Sequence, residues 1–89
     1  MKNVIIFTSP GCSFCKWAKK IFEHHNVALG DPKKFEEVDT SEDNGFNRMS
    51  EECPGEGSVP QIFIGGQYIG GIEELRNLVW ERKLVDMLA

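Results

Sequence analysis

The stretch NVIIFTSPGCSFCKWAKKIF, residues 3–22, carries a strand signal, a turn signal and a helix signal in direct succession. The run from Asn3 to Thr8 is β-branched and aromatic and ends at Ser-Pro-Gly, which predicts a buried strand followed by a turn. Two cysteines, Cys12 and Cys15, come directly after the turn. Apolar residues then recur at spacings of three and four, which predicts an amphipathic helix ending near residues 24–26. They are Phe14, Trp17, Ala18, Ile21 and Phe22.

The middle of the chain predicts a second strand and a short second helix. The strand covers KKFEEVDT, Lys33–Thr40, with Phe35 and Val38 pointing inward. The segment SEDNGFNRMSEE, residues 41–52, opens with a serine, a residue type that caps helices. Its apolar pattern is weak and Gly45 interrupts it, so the predicted helix is short.

The C-terminal third predicts a hairpin and one last helix. In VPQIFIGGQYIGG, residues 59–71, the strands Gln61–Ile64 and Gln67–Ile69 are joined by a pair of glycines. The following IEELRNLVWERKLVDML, residues 72–88, repeats apolar residues at helical spacing and has acids in its first turn. The resulting order, β-α-β-α-β-β-α, predicts an α/β protein in which three or so helices cover a four-stranded mixed sheet.

Composition limits the class of protein. The 89 residues, 40% of them hydrophobic, are enough for one modest core, so we expect a single domain over residues 1–89. A net charge of −4 disfavours a nucleic-acid surface, because phosphate binding depends on clustered Lys and Arg. No run is long enough to span a membrane, and the short apolar run near the N-terminus does not resemble a signal peptide. These features predict a cytoplasmic protein that is not attached to a membrane.

The cysteine content favours redox chemistry. Three cysteines are an odd number, which does not suit a disulfide-stapled secreted scaffold, and in a reducing compartment a Cys-x-x-Cys pair is usually redox-catalytic or a metal site. Cys12 precedes the predicted helix, whose unpaired N–H groups and dipole stabilise a thiolate. Lys16 adds a positive charge near Cys12. Lys19 and Lys20 are equally consistent with a role beside the cysteines and with a solvated face of the helix. Since a stable thiolate is also a good leaving group, Cys12 and Cys15 predict a carrier that forms and releases disulfides.

Three motifs follow one another along the chain. They are CSFC (Cys12–Cys15) after the first strand, SVP (Ser58–Pro60) before the hairpin, and the pair Gly70–Gly71 before the last helix, with acids just beyond. Each motif is weak alone, but their order and spacing are specific, and together they resemble the glutaredoxin family over essentially the full length of the chain. The resemblance implies a thioredoxin-like fold and a glutathione-dependent thiol–disulfide oxidoreductase that reduces protein disulfides and glutathione mixed disulfides.

The resemblance also implies roles for residues around the cysteines. Cys12 matches the nucleophile that carries the mixed disulfide with glutathione, and Cys15 matches the more buried resolving thiol. Phe14 stands where the family usually has Tyr, in the wall of the glutathione groove. The Val59–Pro60 bond is expected to be cis, so that the backbone of Val59 pairs with the cysteinyl unit of glutathione as an added strand would.

A further part of the resemblance concerns the start of the last helix. Gly71, Ile72 and Glu73 match the segment that receives the γ-glutamyl end of glutathione. A helix N-terminus offers N–H groups to the carboxylate of this end, and an acid of the first turn, Glu73 or Glu74, is available for its ammonium group.

Besides Phe14, the chain departs from the family pattern at Ser13, at Ser9 and at the acids after the glycine pair, which are Glu and not the Asp pattern common in the family. Ser13 stands where many relatives have Pro, which leaves the loop less rigid. Ser9 stands where relatives often have Lys or Arg for the glycine carboxylate of glutathione, and Lys16 or Arg48 is left as the replacement.

Two other functions stay open at this level. Some glutaredoxins with a serine after the first cysteine, as here, bind a bridging [2Fe-2S] cluster in a dimer with glutathione as co-ligand. The other alternative is an electron donor recharged directly by thioredoxin reductase, although the glycine pair followed by acids favours glutathione as the reducing co-substrate. The preferred function needs no metal, and a zinc site built from Cys12, Cys15, Cys53 and a histidine would remove the redox chemistry of the pair.

The resemblance implies glutathione and disulfide-containing proteins as partners, with ribonucleotide reductase among the candidates. We expect a monomer that binds neither nucleic acid nor membrane. Cys53 is expected to be an incidental or partly buried thiol, and Trp17 and Trp80 are expected to cover the core or a helix.

Overall fold

The computed structural model describes residues 2–28 and 35–88, and this part of the chain forms four strands and four helices. The strands are β1 (Val4–Thr8), β2 (Phe35–Asp39), β3 (Gln61–Ile64) and β4 (Gln67–Gly70). The helices are α1 (Ser13–Ala28), α2 (Asp43–Glu52), α3 (Ile72–Trp80) and α4 (Leu84–Leu88). The predicted order β-α-β-α-β-β-α is confirmed, with a short additional helix at its end. Within the described ranges, no helix has the length and apolar character needed to cross a membrane.

The four strands form one mixed sheet, as predicted, and their order in the sheet is β2-β1-β3-β4. β1 pairs in parallel with β2 and antiparallel with β3, and β3 pairs antiparallel with β4. Because parallel neighbours need a crossover, α1 lies between β1 and β2 in the chain, whereas β3 and β4 need only the tight turn at Gly65 and Gly66. Both glycines have positive φ angles, 59° and 81°, a region that glycine enters without steric cost.

Each face of the sheet carries its own hydrophobic cluster, since alternate residues of a strand point to opposite faces. On one face, α1, α3 and α4 cover the sheet, and the cluster includes Ile6, Phe22, Ile62, Leu75 and Leu88. On the other face, α2 covers the sheet, and the cluster consists of Phe7, Val38, Met49 and Cys53. The carboxyl end of β1 runs between these clusters and leads directly into the loop that carries the cysteine pair.

β2 divides its side chains between the two faces. Phe35 packs against the cluster under α1, whereas Val38 belongs to the cluster under α2, because an odd separation reverses the side-chain direction in a strand. Both residues are packed as predicted, but against different clusters. Glu37 correspondingly pairs with a side chain of α1, and Glu36 pairs with one of α2. The predicted strand residues 33–34 lie outside the described residues.

α2 runs through Gly45 without a break, so this glycine does not interrupt the helix as the sequence suggested. Gly45 is buried and lies so close to the backbone carbonyl of Asp39 that an added Cβ would overlap it. The glycine is needed for this close approach between α2 and the end of β2. The residue before the helix is Glu42, and no side chain caps it. The N–H of Ser41, the predicted cap, instead donates a 2.8 Å hydrogen bond to Oδ1 of Asp39.

The predicted last helix is divided into α3 and α4 by a tight turn. The N–H of Lys83 donates to the carbonyl of Leu78 at 2.9 Å, and the N–H of Arg82 donates to that of Val79 at 3.1 Å. Arg82 has a φ of 59°, so these bonds form a Schellman closure with an arginine in the left-handed position that glycine usually takes. The turn redirects the chain so that two leucines of α4 reach the core, Leu84 and Leu88.

Candidate active site

Cys12 lies between the carboxyl end of β1 and the first residue of α1. Its N–H donates to the carbonyl of Ser9 at 3.3 Å, and Gly11 between them has a φ of 77°. Its own carbonyl accepts the N–H of Lys16 at 3.2 Å, which is a hydrogen bond of the helical type. Cys12 is therefore located at the N-terminus of α1, where the backbone N–H groups have no carbonyl partner within the helix.

Cys12 and Cys15 are joined in a disulfide, with their Cα atoms 5.2 Å apart. Cys15 is only 2% exposed, whereas Cys12 is partly exposed. The N–H of Cys15 donates to Sγ of Cys12 at 3.1 Å. When the disulfide is reduced, the same N–H and the helix dipole favour the thiolate of Cys12. The accessible sulfur is thus the one that the N-terminus of α1 can stabilise.

A polar cavity of about 130 Å³ adjoins the cysteine pair on the side of β2. Nζ of Lys19 donates a 3.0 Å hydrogen bond to Oε2 of Glu37, and Oγ1 of Thr8 donates to the same oxygen at 2.9 Å. Lys19 is therefore ion-paired in the wall of this cavity, and only Lys20 of the two lysines is an exposed helix residue. The cavity is lined by Thr8, Ser9, Pro10, Gly11, Cys12, Cys15, Lys16, Lys19, Glu37 and Asp39.

The segment before β3 faces the cysteine pair. The Val59–Pro60 peptide bond is cis, as the resemblance implied, and the carbonyl oxygen of Val59 lies 3.9 Å from Sγ of Cys12. Gly71 follows β4 and approaches the same segment closely, since an added Cβ would lie 3.2 Å from the carbonyl oxygen of Pro60. The absence of a side chain at Gly71 therefore lets the N-terminus of α3 reach this segment.

The two acids at the start of α3 have different surroundings. Oε1 of Glu74 accepts a 3.0 Å hydrogen bond from the N–H of Gly71, so this carboxylate caps the helix. Glu73 is exposed, with Oε1 3.6 Å from Nη2 of Arg76. Of the two acids that the sequence left open for a ligand ammonium group, Glu73 is thus the one whose carboxylate is not committed to the helix start.

Two cavities meet at the start of α3 and form one surface beside the cysteine pair. The first, of about 450 Å³, lies between α1 and α3 and is lined by Ser13, Phe14, Trp17, Ile72, Glu73 and Arg76. The second, of about 310 Å³, is lined by Glu56, Ser58, Val59, Pro60, Gln61, Tyr68, Gly71, Ile72, Glu73 and Glu74. Ile72 and Glu73 belong to both. Lys16 lines the third cavity, on the other side of the pair.

The aromatic residues of α1 and α3 are more exposed than their helical pattern suggested. Phe14 is 60% exposed and Trp17 is 39% exposed, and both line the cavity between the helices. Trp80 is 86% exposed, so the prediction that it covers the core or a helix is wrong. Ala18 and Phe22 form the buried side of α1, because only this side faces the sheet.

A hydrogen-bonded chain that the sequence did not reveal supports the loop before β3. The hydroxyl of Tyr68 donates to Oε1 of Gln61 at 2.6 Å, and Nε2 of Gln61 donates to the carbonyl of Ser58 at 2.9 Å. Gln61 is only 2% exposed, and a buried amide of this kind needs partners. Burial, followed by the negative charge of Glu56, raises the pKa of the Tyr68 hydroxyl. The available signal was a glutamine at the start of an otherwise apolar strand.

The side chain of Arg48 is held in contacts away from the cysteine pair. Its guanidinium donates to Oε2 of Glu36 at 2.7 Å, lies 3.6 Å from a carboxylate oxygen of Glu52, and sits 5.8 Å from the ring centroid of Phe7. The hydrogen bond to Glu36 raises the pKa of Arg48. Of the two cations that the sequence offered for a glycine carboxylate, only Lys16 therefore lines a cavity with the cysteines.

Cys53 lies in the cluster under α2 and is buried. Burial raises the pKa of its thiol, and the neighbouring Glu52 and Glu56 add to the rise. This thiol is therefore held in its protonated, less reactive form. In the part of the chain that the structure describes, no three His, Cys, Asp or Glu side chains are grouped so as to hold a metal ion.

A Cys-x-x-Cys pair at the start of the first helix, opposite a cis-proline segment on a four-stranded mixed sheet, is the arrangement of the thioredoxin-like class of proteins. Within this class, the model of the glutaredoxin family matches residues 4–69. The chain belongs to the glutaredoxin family.

Curated relatives support this assignment. The mouse protein named glutaredoxin-2, mitochondrial, is 38% identical over 86 residues, which cover 96% of this chain and 53% of the relative. Its human counterpart is 37% identical, with 96% and 50% covered. Glutaredoxin-C2 of Arabidopsis thaliana is 33% identical over 88 residues, covering 98% of this chain and 76% of the relative. The chain spans about half the length of the mammalian relatives that it matches.

Solved structures share the fold. A dithiolic glutaredoxin from Trypanosoma brucei brucei superposes with a TM-score of 0.80 at 26% identity, covering 99% of this chain and 88% of that one. Glutaredoxin from Brucella melitensis gives 0.71 at 37% identity, with 99% and 89% covered. A buckwheat glutaredoxin–glutathione complex gives 0.78 at 23% identity, with 98% and 76% covered.

The relatives contradict the predicted cytoplasmic location. The mouse, human and rat proteins that the chain matches are mitochondrial glutaredoxins. The prediction was wrong because it relied on a short apolar run and the cysteine count. These features describe the folded domain and do not determine the cellular compartment.

Proposed function

We propose that the protein is a glutathione-dependent oxidoreductase that reduces protein disulfides and glutathione mixed disulfides. The proposal is carried by the environment of Cys12. Its sulfur is located at the N-terminus of α1, accepts a hydrogen bond from the N–H of Cys15 at 3.1 Å and lies 3.9 Å from the carbonyl oxygen of Val59. Once the pair is reduced, a sulfur placed in this way is favoured as the thiolate, and it is next to backbone groups that can orient a peptide-like thiol.

Reduction of a protein disulfide proceeds in two exchanges. The thiolate of Cys12 attacks one sulfur of the substrate, the substrate disulfide breaks, and a substrate thiolate leaves and is protonated by solvent. Cys15, once deprotonated, then attacks Sγ of Cys12. This second exchange forms the Cys12–Cys15 disulfide and releases the other substrate thiolate, so that the substrate gains the two electrons that the pair loses.

Two molecules of glutathione restore the reduced pair. The first glutathione thiolate attacks Cys12, which forms a glutathione mixed disulfide and frees Cys15 as a thiol. The second attacks the glutathione sulfur of this adduct, which forms glutathione disulfide and releases the Cys12 thiolate. With a substrate that is already a glutathione mixed disulfide, the thiolate of Cys12 attacks the glutathione sulfur and releases the substrate thiolate, which forms the same adduct on Cys12. The last step above then restores Cys12, so Cys15 is not required.

The second cavity supports glutathione as the reductant. The N–H and C=O of Val59 are suited to pair with the cysteinyl unit, and the first N–H groups of α3 are suited to the γ-glutamyl carboxylate. Glu73 supplies the charge for the ammonium group, since Glu74 caps the helix. Lys16 is the cation that we assign to the glycine carboxylate. The buckwheat relative was solved with glutathione, but at 23% identity its likeness concerns the fold alone.

The test is an assay of wild type, Cys12→Ser and Cys15→Ser on two substrates, a glutathionylated peptide and a protein disulfide, each with glutathione as reductant. Cys12→Ser is expected to abolish both activities. Cys15→Ser is expected to keep reduction of the glutathionylated peptide and to lose reduction of the protein disulfide. Cys53→Ala serves as the matched control and is expected to keep both.

Equal losses in Cys12→Ser and Cys15→Ser would contradict this division of roles. Turnover of the wild type with thioredoxin reductase and NADPH but without glutathione would contradict the choice of reductant.

A further inference from the structure

We propose that Glu37 accepts the proton of Cys15 when this thiol resolves a mixed disulfide, acting through water in the polar cavity between α1 and β2. The inference rests on the proposed two-thiol function and adds to it a residue that neither the motifs nor the family resemblance singled out.

The resolving step needs a proton acceptor. The thiolate and not the thiol is the nucleophile, and an ordinary cysteine with a pKa of about 8.5 is only a few per cent ionised at neutral pH. Cys15 is only 2% exposed, and burial disfavours the charged form of a thiol further. The N–H of Cys15 is already directed at Sγ of Cys12. The groups at the start of α1 that stabilise Cys12 therefore do not provide a base for Cys15.

The cavity of about 130 Å³ connects Cys15 to Glu37, since both line it. It is lined mainly by polar groups and has room for a few water molecules, which is the condition for a water-mediated contact. Oε2 of Glu37 is fixed by Oγ1 of Thr8 at 2.9 Å and by Nζ of Lys19 at 3.0 Å. Among residues 2–25 and 35–88, whose side chains the structure describes, no hydrogen-bond donor contacts its Oε1. The carboxylate is thus held in place by one oxygen, and the other remains available to accept a proton.

The other charged groups at the cavity are less suited to this role. The charged side chains that face it are Lys16 and Lys19 from α1 and Glu37 and Asp39 from β2. The two lysines are cations and have no lone pair to accept a proton. Asp39 accepts hydrogen bonds from Ser41, which hold the pKa of its carboxyl below the ordinary value.

The S–H bond of Cys15 breaks, and its proton passes through water to Glu37. The sulfur of Cys15 attacks Sγ of Cys12, the bond between Cys12 and the substrate sulfur breaks, and the substrate thiolate leaves. Glu37 then returns its proton to solvent through the open side of the cavity.

The test follows the two exchanges separately and uses no glutathione. Reduced protein is mixed in a stopped-flow instrument with dithiobis(nitrobenzoate), an aromatic disulfide whose released thiolate is coloured. Attack by Cys12 releases the first coloured thiolate, and resolution by Cys15 releases the second. Cys53 is replaced by Ala in every protein compared. Glu36→Gln is the matched control, because Glu36 is the neighbouring glutamate on β2 and pairs with Arg48 on the other face of the sheet.

We expect Glu37→Gln to slow the second phase by at least about tenfold near pH 6.5. This is less than the usual contribution of a general base, about 10²- to 10⁴-fold, because ionisation to solvent remains as a parallel route. The first phase should match wild type, and the deficit should shrink as the pH rises, because ionisation to solvent then replaces the lost base. Glu36→Gln should leave both phases unchanged.

If Glu37 is not the base, Glu37→Gln is expected to leave the second phase unchanged or to accelerate it, since removing a negative charge near Cys15 favours its thiolate. A second phase in Glu37→Gln that is unchanged or faster therefore overturns the inference. Should this variant not fold, the wild-type profile decides. A second-phase rate that varies less than about threefold between about pH 6 and 7.5 supports an internal base, and a tenfold rise per pH unit overturns it. If wild type shows no second phase at all, it is the proposed two-thiol function that fails.

Discussion

The backbone N–H of Cys15 donates a 3.1 Å hydrogen bond to Sγ of Cys12. This bond gives the two cysteines of the pair different chemistry, although they are only three positions apart. Cys12 is partly exposed and lies at the N-terminus of α1, whereas Cys15 is buried behind it. The first is therefore suited to attack and to leave, and the second to resolve.

Substitutions of the two acids at the start of α3 are expected to have different effects, one on ligand binding and the other on stability. Glu73→Ala should raise the KM for glutathione about two- to fivefold, the range for one exposed charge pair, with little change in stability. Glu74→Ala should lower the free energy of unfolding by about 0.5–1.5 kcal/mol, because the N–H of Gly71 loses its acceptor, and should change the KM little. Steady-state kinetics and urea unfolding of both variants measure the split. The reverse pattern would contradict the assignment of Glu73.

Tyr68→Phe is expected to weaken the loop before β3. The substitution leaves Oε1 of the buried Gln61 without its 2.6 Å donor, which costs about 1–3 kcal/mol in the free energy of unfolding. We expect the KM for glutathione to rise as well, since Gln61 also holds the carbonyl of Ser58. The control is Gln67→Ala at an exposed neighbour in β4. A loss of unfolding free energy in Tyr68→Phe no larger than in this control would show that the chain of hydrogen bonds does not stabilise the protein.

Gly45→Ala is expected to destabilise the protein, although alanine favours an ordinary helix by about 1 kcal/mol relative to glycine. The added Cβ overlaps the carbonyl of Asp39, and overpacking of this kind costs about 1–3 kcal/mol. Asn47→Ala, at an exposed position of the same helix, should instead be neutral or slightly stabilising. Thermal unfolding of the two variants decides, and a more stable Gly45→Ala variant would contradict the close approach.

The buried thiol of Cys53 predicts a loss of stability at alkaline pH. Burial raises its pKa above the ordinary value of a cysteine, so the folded state keeps a proton that the unfolded state releases. The free energy of unfolding therefore falls as the pH rises above the ordinary pKa of a cysteine, about 8.5. Cys53→Ala should show a smaller fall over this range, measured by denaturant unfolding with the Cys12–Cys15 disulfide intact. Equal slopes for the two proteins would contradict the raised pKa.

Sequence patterns predicted the parts of the fold that local chemistry determines. The turn after β1, the stripe of apolar residues on α1 and the turn at Gly65 and Gly66 each have a short-range signal, and their positions are confirmed within a few residues. The position of Cys12 at the N-terminus of α1 follows from the same signals.

Features that depend on tertiary contacts had no local signal. The break between α3 and α4 at Arg82 contains neither glycine nor proline, and it is favoured because Leu84 then reaches the core. Gly45 looked like a helix breaker because its proximity to the end of β2 is visible only in the folded chain. Glu37 has the pattern of a surface charge, and only the crossover of α1 brings β2 beside the cysteines.

The most direct measurement is the pH dependence of alkylation at Cys12, made in the Cys15→Ser, Cys53→Ala background so that Cys12 is the only thiol. This background keeps the backbone N–H of residue 15, the donor to Sγ of Cys12. The stabilised thiolate predicts a midpoint well below about 8.5, the value for an ordinary cysteine. A midpoint at or above that value would contradict the role of Cys12 as the attacking and leaving sulfur.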